Sequence, residues 1–410
     1  MRLEAQKEAI WQCNHCSMCS EIVCDQAGFY KACPVYQLLE FENYTARGHN
    51  TIALYLLEGS LTYNQELADV IYKCTTCMLC EEVCKPMGNA VAGLGGYGLK
   101  SILDSMIKPF EIEMKPIPSV AIMEAMRADC VERGLEPQGL KEAAGRIEKT
   151  GNCYGKPAAD RTRWSAGLNL TIEGETILFV GDAAAYEAPE VAQAAARVLQ
   201  HAGKPFGMLA DERSSGAVLF RTGNLSLGEK MARHNLALLE HAKEVICLSA
   251  SDCYCIAKDW TMVAGKLPFR IRHISTVLAD LIKKRRIRFM KNIPIIATYE
   301  DPCYLGRGMN QYADPRIVLN AIPGLRFVEI YPTAHAAWCC GNCGGVPEAD
   351  PELSLHLGQR KLPLVASTQA SMIATACPEV KVHLDKVMTH AEQAYQVKDI
   401  VELVAQSIGV

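Results

Sequence analysis

Two stretches of the chain carry the same order of apolar runs. Thr176-Ile177-Leu178-Phe179-Val180-Gly181 is a short continuous apolar segment, the pattern of a buried strand. Pro189 to His201 then reads as an alanine-rich helix, Phe206-Gly207-Met208-Leu209 as a strand and Val245-Ile246-Cys247-Leu248 as a later one. Farther on the series repeats: Ile295-Ile296-Ala297-Thr298-Tyr299, a helix from Pro315 to Ala321, Phe327-Val328-Glu329-Ile330, and Met372-Ile373-Ala374-Thr375. Each series closes on a similar amphipathic helix, Ile274 to Ile282 in one and Val397 to Val404 in the other. Equivalent segments lie about 120–127 residues apart, which marks an internal duplication. Strands alternating with helices predict α/β layers in both copies.

Ahead of the duplication the pattern is helical. Thr51 to Leu57, stopped by Gly59, and Glu66 to Lys73 read as helices. Lys108 to Pro118 reads as a connector with three prolines. Ser119, a good N-cap, opens a helix that runs to Arg133 and stops at Gly134. Residues 134–170 show little periodicity and read as an irregular strap. Gly93-Leu94-Gly95-Gly96-Tyr97-Gly98 matches G-x-G-x-x-G, but no strand precedes it and no acidic residue follows about twenty positions on, so it reads as a turn. Lys283-Lys284-Arg285-Arg286 reads as a solvated helix end between the two copies.

Composition narrows the function classes. A chain of 410 residues can bury a large core without staples. A net charge of −4 argues against a nucleic-acid binder. The first residues lack the apolar core of a secretory signal, and no run of about 18 apolar residues predicts a membrane span. A reducing cytoplasm is the expected setting. There, 19 cysteines, an odd number, point to metal or redox chemistry and not to disulfides.

Nine cysteines precede residue 85. Cys13-x2-Cys16-x2-Cys19 is followed by Cys33-Pro34, and Cys74-x2-Cys77-x2-Cys80 by Cys84 and Pro86. Three thiolates at that spacing wrap one face of an iron–sulfur cubane, and a distant cysteine completes it. In two-cluster ferredoxins the distant cysteine of each run serves the other run's cluster. On that logic Cys13, Cys16, Cys19 and Cys84 hold one [4Fe-4S] cluster, and Cys74, Cys77, Cys80 and Cys33 hold a second. Structural zinc is the alternative, but zinc takes paired C-x2-C knuckles and has no use for a third evenly spaced cysteine. Cys24 is a spare, and Pro34 favours Cys33 over it. His15 reads as a neighbour of the ligands, not as one of them.

In the second copy stand Cys303, Cys339-Cys340-Gly341 and Cys377. Adjacent cysteines suit a cluster of other than cubane geometry. The first copy has Asp182 where Cys303 would align, Ser214-Ser215-Gly216 in place of Cys339-Cys340-Gly341, and Ala250 in place of Cys377. It keeps Cys253, whose partner in the second copy is Val380. Cys130, Cys153, Cys247 and Cys255 read as small buried residues.

Cys13-Asn14-His15-Cys16-Ser17-Met18-Cys19, Cys74-Thr75-Thr76-Cys77-Met78-Leu79-Cys80, Asp301-Pro302-Cys303-Tyr304-Leu305-Gly306-Arg307, Cys339-Cys340-Gly341 and Arg221-Thr222-Gly223 together resemble the D-type subunit of heterodisulfide reductase, over nearly the whole chain. That protein fuses an iron–sulfur C-type part to a catalytic B-type part. The resemblance implies CCG modules able to hold a noncubane [4Fe-4S] cluster. It places Cys303, Cys339, Cys340 and Cys377 as catalytic ligands of a third cluster, with the first module degenerate; Val380 departs from the family's final ligand, and Cys343, which has no clear family counterpart, is a candidate extra ligand in its place. The fold class expected is α+β: an all-α two-cluster ferredoxin-like domain at 1–107, a linker and strap with one helix at 108–170, and CCG modules at 171–290 and 291–410. The function implied is electron transfer within an anaerobic oxidoreductase complex. The alternative is catalysis on a disulfide or thiol substrate at the third cluster. Partners implied are a flavoprotein of A-type or a membrane cytochrome b-type subunit, with no nucleic acid. The chain itself would then be cytoplasmic, peripheral at the inner face of the membrane.

Overall fold

The computed structural model describes residues 1–24, 28–84 and 116–410, with backbone alone for 21–24 and 28–30. The glycine turn at 93–98, Pro86, the first eight positions of the connector and the side chain of Cys24 lie outside the described residues. Two compact units are present. The first comprises Met1–Gln138, Arg221–Gly223 and Tyr331–Leu357; the second comprises Gly139–Phe220, Asn224–Ile330 and Gly358–Val410.

In the first unit, strands β1 (Glu21–Cys24) and β2 (Gly28–Lys31) pair as an antiparallel hairpin. The all-α expectation for this region is therefore corrected: alternation in so short a segment, crowded by cysteines, carries no readable strand signal. Helix α1 (Ala46–Glu58) starts where Thr45 Oγ1 accepts the Gly48 N–H at 3.1 Å and stops at Gly59 with φ +77°. Helix α2 (Gln65–Tyr72) is capped by Asn64, whose Oδ1 accepts the Leu67 N–H at 2.8 Å. Helix α3 (Ser119–Glu132) begins one residue earlier than a Ser119 cap would place it. The Glu81 carboxylate accepts the Val120 N–H at 2.7 Å instead. Ile122, Met123, Met126, Arg127, Asp129 and Cys130 are all buried on α3, so the helix is enclosed on more than one face.

The second unit holds the duplication. Helix α4 (Gln138–Thr150) occupies the stretch expected to be irregular. Its buried residues, Leu140, Ala143 and Ile147, form a one-sided stripe that the surrounding Lys, Glu and Arg obscure. Strands β3 (Thr176–Phe179), β4 (Gly207–Met208), β5 (Glu244–Cys247) and β6 (Arg270–His273) form a parallel sheet in the order β4-β3-β5-β6. Strands β7 (Ile296–Glu300), β8 (Arg326–Val328), β9 (Met372–Thr375) and β10 (Gln396–Asp399) repeat it as β8-β7-β9-β10. Identical strand order makes each module a copy of the same parallel sheet. Helix α5 (Pro189–His201) and helix α6 (Ala250–Lys258) belong to the first module. Helix α7 (Ile274–Lys283) closes it; in the second module helix α8 (Pro378–His390) precedes the closing helix α9 (Ile400–Ile408). The Val397–Val404 helix expectation is thus corrected at its start: Val397 to Asp399 are strand, and Asp399 caps α9. Trp260, fully buried, sits edge-on to Phe179 at 6.0 Å in the first module's core.

Candidate iron–sulfur sites

Both N-terminal cysteine runs bend in the same way. His15 and Ser17 have φ of +55° and +65°, and Thr76 and Met78 have +48° and +63°. These are the third and fifth positions of each run. Left-handed backbone at non-glycine residues is rare and persists only where the surroundings enforce it. Its recurrence at matching positions gives both runs the same coil.

Cys33, Cys74, Cys77 and Cys80 line one cavity, together with His49 and Tyr44. Burial pushes the Cys33 thiol up, and the neighbouring Cys74 and Cys77 thiols add to the shift. Cys80 is pushed up by burial and then by Glu81, Cys77 and Cys74. The other four sulfurs group likewise. Burial raises Cys19 to about 11, with Cys84 and Cys13 reinforcing it. Burial raises Cys84, with Cys16 and Cys13 as its sulfur neighbours. The Ile117 N–H donates to Cys84 Sγ at 3.4 Å. Each distant cysteine therefore stands beside the other run's sulfurs. Thiols held protonated by burial become thiolates when a cationic iron core supplies the compensating charge. An all-sulfur set of three plus one fits such a core. His49 adds a second sign of fit: its buried Nε2 has no hydrogen-bond partner among the described residues, and burial lowers the ring to about 3, so it is neutral.

The loop of the second module that carries Cys339, Cys340 and Cys343 belongs to this same unit. All three are buried. Gly341 turns the chain with φ +94°, and its N–H donates to Cys339 Sγ at 3.4 Å. The sulfurs of Cys339 and Cys343 lie within 4.8 Å of each other. Val346, Leu353 and Leu357 share a core with Val35, and Lys73 pairs with Asp350 at 2.7 Å.

In the second unit Cys303 and Cys377 are buried. Arg307, one helical turn on, donates from Nη2 to Cys303 Sγ at 3.0 Å. Cys377 Sγ donates to the Glu379 carboxylate at 3.1 Å. The first module has different chemistry at its equivalent positions. Asp182 accepts from the buried Arg161 guanidinium at 2.5 Å and from the Cys153 N–H at 2.9 Å. Arg161 also pairs with Glu212, whose carboxylate accepts the Val180 and Gly181 N–H groups at 2.9 Å. Ser215 donates to Asp252 at 2.5 Å.

Comparison with known proteins matches this layout. The 4Fe-4S dicluster domain matches residues 9–87, and the CCG cysteine-rich domain matches 177–257 and again 297–385. The chain is 33% identical over 355 residues to the D-type subunit of the dihydromethanophenazine:CoB–CoM heterodisulfide reductase of Methanosarcina barkeri, covering 84% of this chain and 80% of that protein. It belongs to the family of heterodisulfide reductase D-type subunits. The corresponding protein of Methanosarcina acetivorans is 28% identical over 98% of this chain and 95% of its own. The B-type subunit of the fumarate reductase (CoM/CoB) of Methanothermobacter marburgensis is 28% identical, over 81% of this chain and 60% of its own.

This member of the heterodisulfide reductase family is accordingly an iron–sulfur oxidoreductase subunit with [4Fe-4S] cluster domains. No helix among the described residues is long and apolar enough to cross a membrane. Sequence reasoning missed Arg127, Arg161 and Glu212, whose partners are remote in the chain, and His49, which only the folded cavity places beside the cysteines. Arg307 alone had a local signal: four residues after Cys303, it lies on the same helical face.

Proposed function

We propose that this subunit relays electrons through two [4Fe-4S] clusters, held by Cys13, Cys16, Cys19 with Cys84 and by Cys74, Cys77, Cys80 with Cys33, to a third, noncubane cluster held by Cys303, Cys339, Cys340 and Cys377. Cys343, whose sulfur lies within 4.8 Å of Cys339, is an additional ligand candidate. Bound clusters would supply one-electron storage at potentials set by charge, hydrogen bonds and burial. The chain's own part is to coil two runs alike, bury the sulfurs and keep water from them. The observation that carries this reading is that the Cys339–Cys343 loop and the four-sulfur cavity belong to one compact unit. Boundaries near 107, 170 and 290 divide the roles: cluster domain, strap, degenerate module and cysteine-bearing module. The partner proposed is a flavoprotein of A-type or a membrane cytochrome b-type subunit, reached from the cytoplasmic face.

Catalysis on a disulfide is the second reading. It is favoured by relatives named as heterodisulfide reductase subunits. Cleaving a disulfide to two thiols consumes two electrons and two protons, so turnover with reduced viologen and a small disulfide separates the readings. Relay alone predicts viologen oxidation only when a partner subunit is added.

Anaerobic purification with iron analysis and EPR spectroscopy tests the main reading. The expected result is about twelve irons per chain and two cubane signals. Zinc in place of iron would end it.

A further inference from the structure

Arg127 is fully buried on α3. A guanidinium has five N–H donors, and this one directs its nitrogens at backbone carbonyls. Nε and Nη2 donate to Ile71 O at 3.4 and 3.1 Å, and Nη2 also to Cys74 O at 2.6 Å. Nη1 donates to Arg221 O at 2.9 Å and to Gly344 O at 2.7 Å. Its face lies 5.0 Å from the Tyr72 ring. Among the described residues it has no carboxylate partner: nearby Glu124 pairs with Arg221, and Asp129 accepts from the Arg2 and Leu3 amides and Tyr63.

Charged side chains are almost never fully buried without a counter-charge, because carbonyl dipoles satisfy donors but do not neutralise a cation. Arg127 grips the carbonyl of Cys74, which lines the cavity with Cys33, Cys77 and Cys80, and its charge pulls against the burial that raises the Cys74 thiol. The same fork holds Gly344, the residue after Cys343. A Cβ at Gly344 would stand 2.9 Å from Cys74 O and 2.8 Å from the Thr75 carbonyl carbon, so the two cysteine loops touch backbone to backbone there.

We propose that Arg127 is a positioning and charge-compensating residue: it provides the buried cation for the cluster assigned to Cys33, Cys74, Cys77 and Cys80, and it clasps the Cys339–Gly345 loop against that cradle. The proposal rests on the two-cubane reading above. A reduced cluster is more negative than an oxidised one, so a fixed cation beside it favours reduction. The neutral His49 ring, with its unused Nε2 in the same cavity, adds a dipole but no charge.

The test uses full-length protein purified anaerobically, with EPR-monitored redox titration, iron analysis and amide hydrogen exchange. The signal lost in Cys77→Ser identifies the cradle's own cluster. Arg127→Met is expected to keep its iron and to weaken reduction of that cluster about tenfold, a downward shift of about 59 mV for a one-electron couple. Arg127→Lys is expected to keep the potential within about twofold, equivalent to about 18 mV on the same scale. Both are expected to speed exchange at Cys343–Val346 about tenfold, because neither has the fork. An unchanged potential in an iron-loaded Arg127→Met protein overturns the proposal. So does loss of iron from both variants, which would make Arg127 a purely structural residue. Absence of cubane signals in the wild type would instead overturn the two-cubane reading beneath it.

Discussion

The two CCG modules share a backbone and differ in their chemistry. Strand order is the same in both sheets, and the Ser-Ser-Gly and Cys-Cys-Gly turns both end on a left-handed glycine, Gly216 at φ +84° and Gly341 at φ +94°. In the second module the turn and the loop after β7 carry buried thiols. In the first, Asp182 and Glu212 bracket a buried arginine, and Ser215 is tied to Asp252. One copy of the fold thus presents buried thiols, and the other has closed the same positions with an internal ion triad. A turn geometry can be kept while its use is replaced.

Cys303→Ser and Asp182→Ala test this contrast at equivalent positions. Cys303→Ser is expected to remove about four irons per chain, since a hydroxyl replaces a thiolate ligand. Asp182→Ala is expected to leave the iron content unchanged and to lower stability. Equal iron loss in both would mean that the first module also supports a cluster.

Arg161→Met probes the triad itself. The substitution strands two buried carboxylates, and breaking a buried pair from one side costs about 3–5 kcal/mol. Anaerobic urea denaturation reads that loss. A cost below about 1 kcal/mol, the range of exposed pairs, would show that the triad does not hold the module shut. Adding Asp182→Ala and Glu212→Gln to Arg161→Met should restore much of the loss, because an apolar replacement for a whole buried ion group is often neutral.

The legible parts of this molecule are those whose signal is local. Cysteine spacing discloses both N-terminal runs, and continuous apolar segments disclose β3, β5, β7 and β9. β6 and β10 escape because Arg270-Ile271-Arg272-His273 and Gln396-Val397-Lys398-Asp399 are polar strands at sheet edges, one of them absorbed into the helix that follows. α4 escapes because its apolar stripe is only three residues long. Arg127 cannot be read at all: it meets Gly344 across 217 residues, through backbone carbonyls that every residue possesses. Arg161 is hidden in a segment without periodicity, although Asp182, its partner, stands out for the cysteine it replaces.

The two glycines sharpen the comparison at smaller scale. A Cβ on Gly216 would meet nothing nearer than 3.3 Å, so Gly216→Ala pays mainly for its left-handed backbone, about 1–2 kcal/mol. A Cβ on Gly341 would stand 2.4 Å from Ser354 O and 2.9 Å from Leu357 Cβ, which forces the turn to move. Gly341→Ala should therefore lower the melting temperature more than Gly216→Ala, and it alone should reduce iron content. Equal effects would place the difference between modules in the side chains alone.

The smallest effect lies in how the modules cap their closing helices. His273 precedes α7 and Asp399 precedes α9. His273 Nδ1 accepts the Ser275 N–H at 3.2 Å, and Nε2 donates to Leu248 O at 3.1 Å; burial lowers the ring to about 4. Asp399 accepts the Val401 N–H at 3.0 Å on one oxygen, while the other is buried without a partner among the described residues; burial pushes the carboxyl up to about 8. The signs are opposite. Between about pH 4 and 6.5 the unfolded chain binds the His273 proton and the native one does not, so that contribution to stability is lost as pH falls through this window. Between about pH 4 and 8 the native chain holds the Asp399 proton and the unfolded one does not, so stability falls as pH rises. Each slope is at most about 1.4 kcal/mol per pH unit, and they oppose each other below about pH 6.5. From about pH 6.5 to 8 only the Asp399 slope remains of the two. Asp399→Asn keeps a good cap and removes the titration, so it should flatten this alkaline decline in anaerobic urea denaturation. His273→Gln should leave the alkaline decline in place and flatten the acid limb. An alkaline slope that survives Asp399→Asn would mean that the carboxyl is already ionised in the folded protein, with its second oxygen satisfied by water.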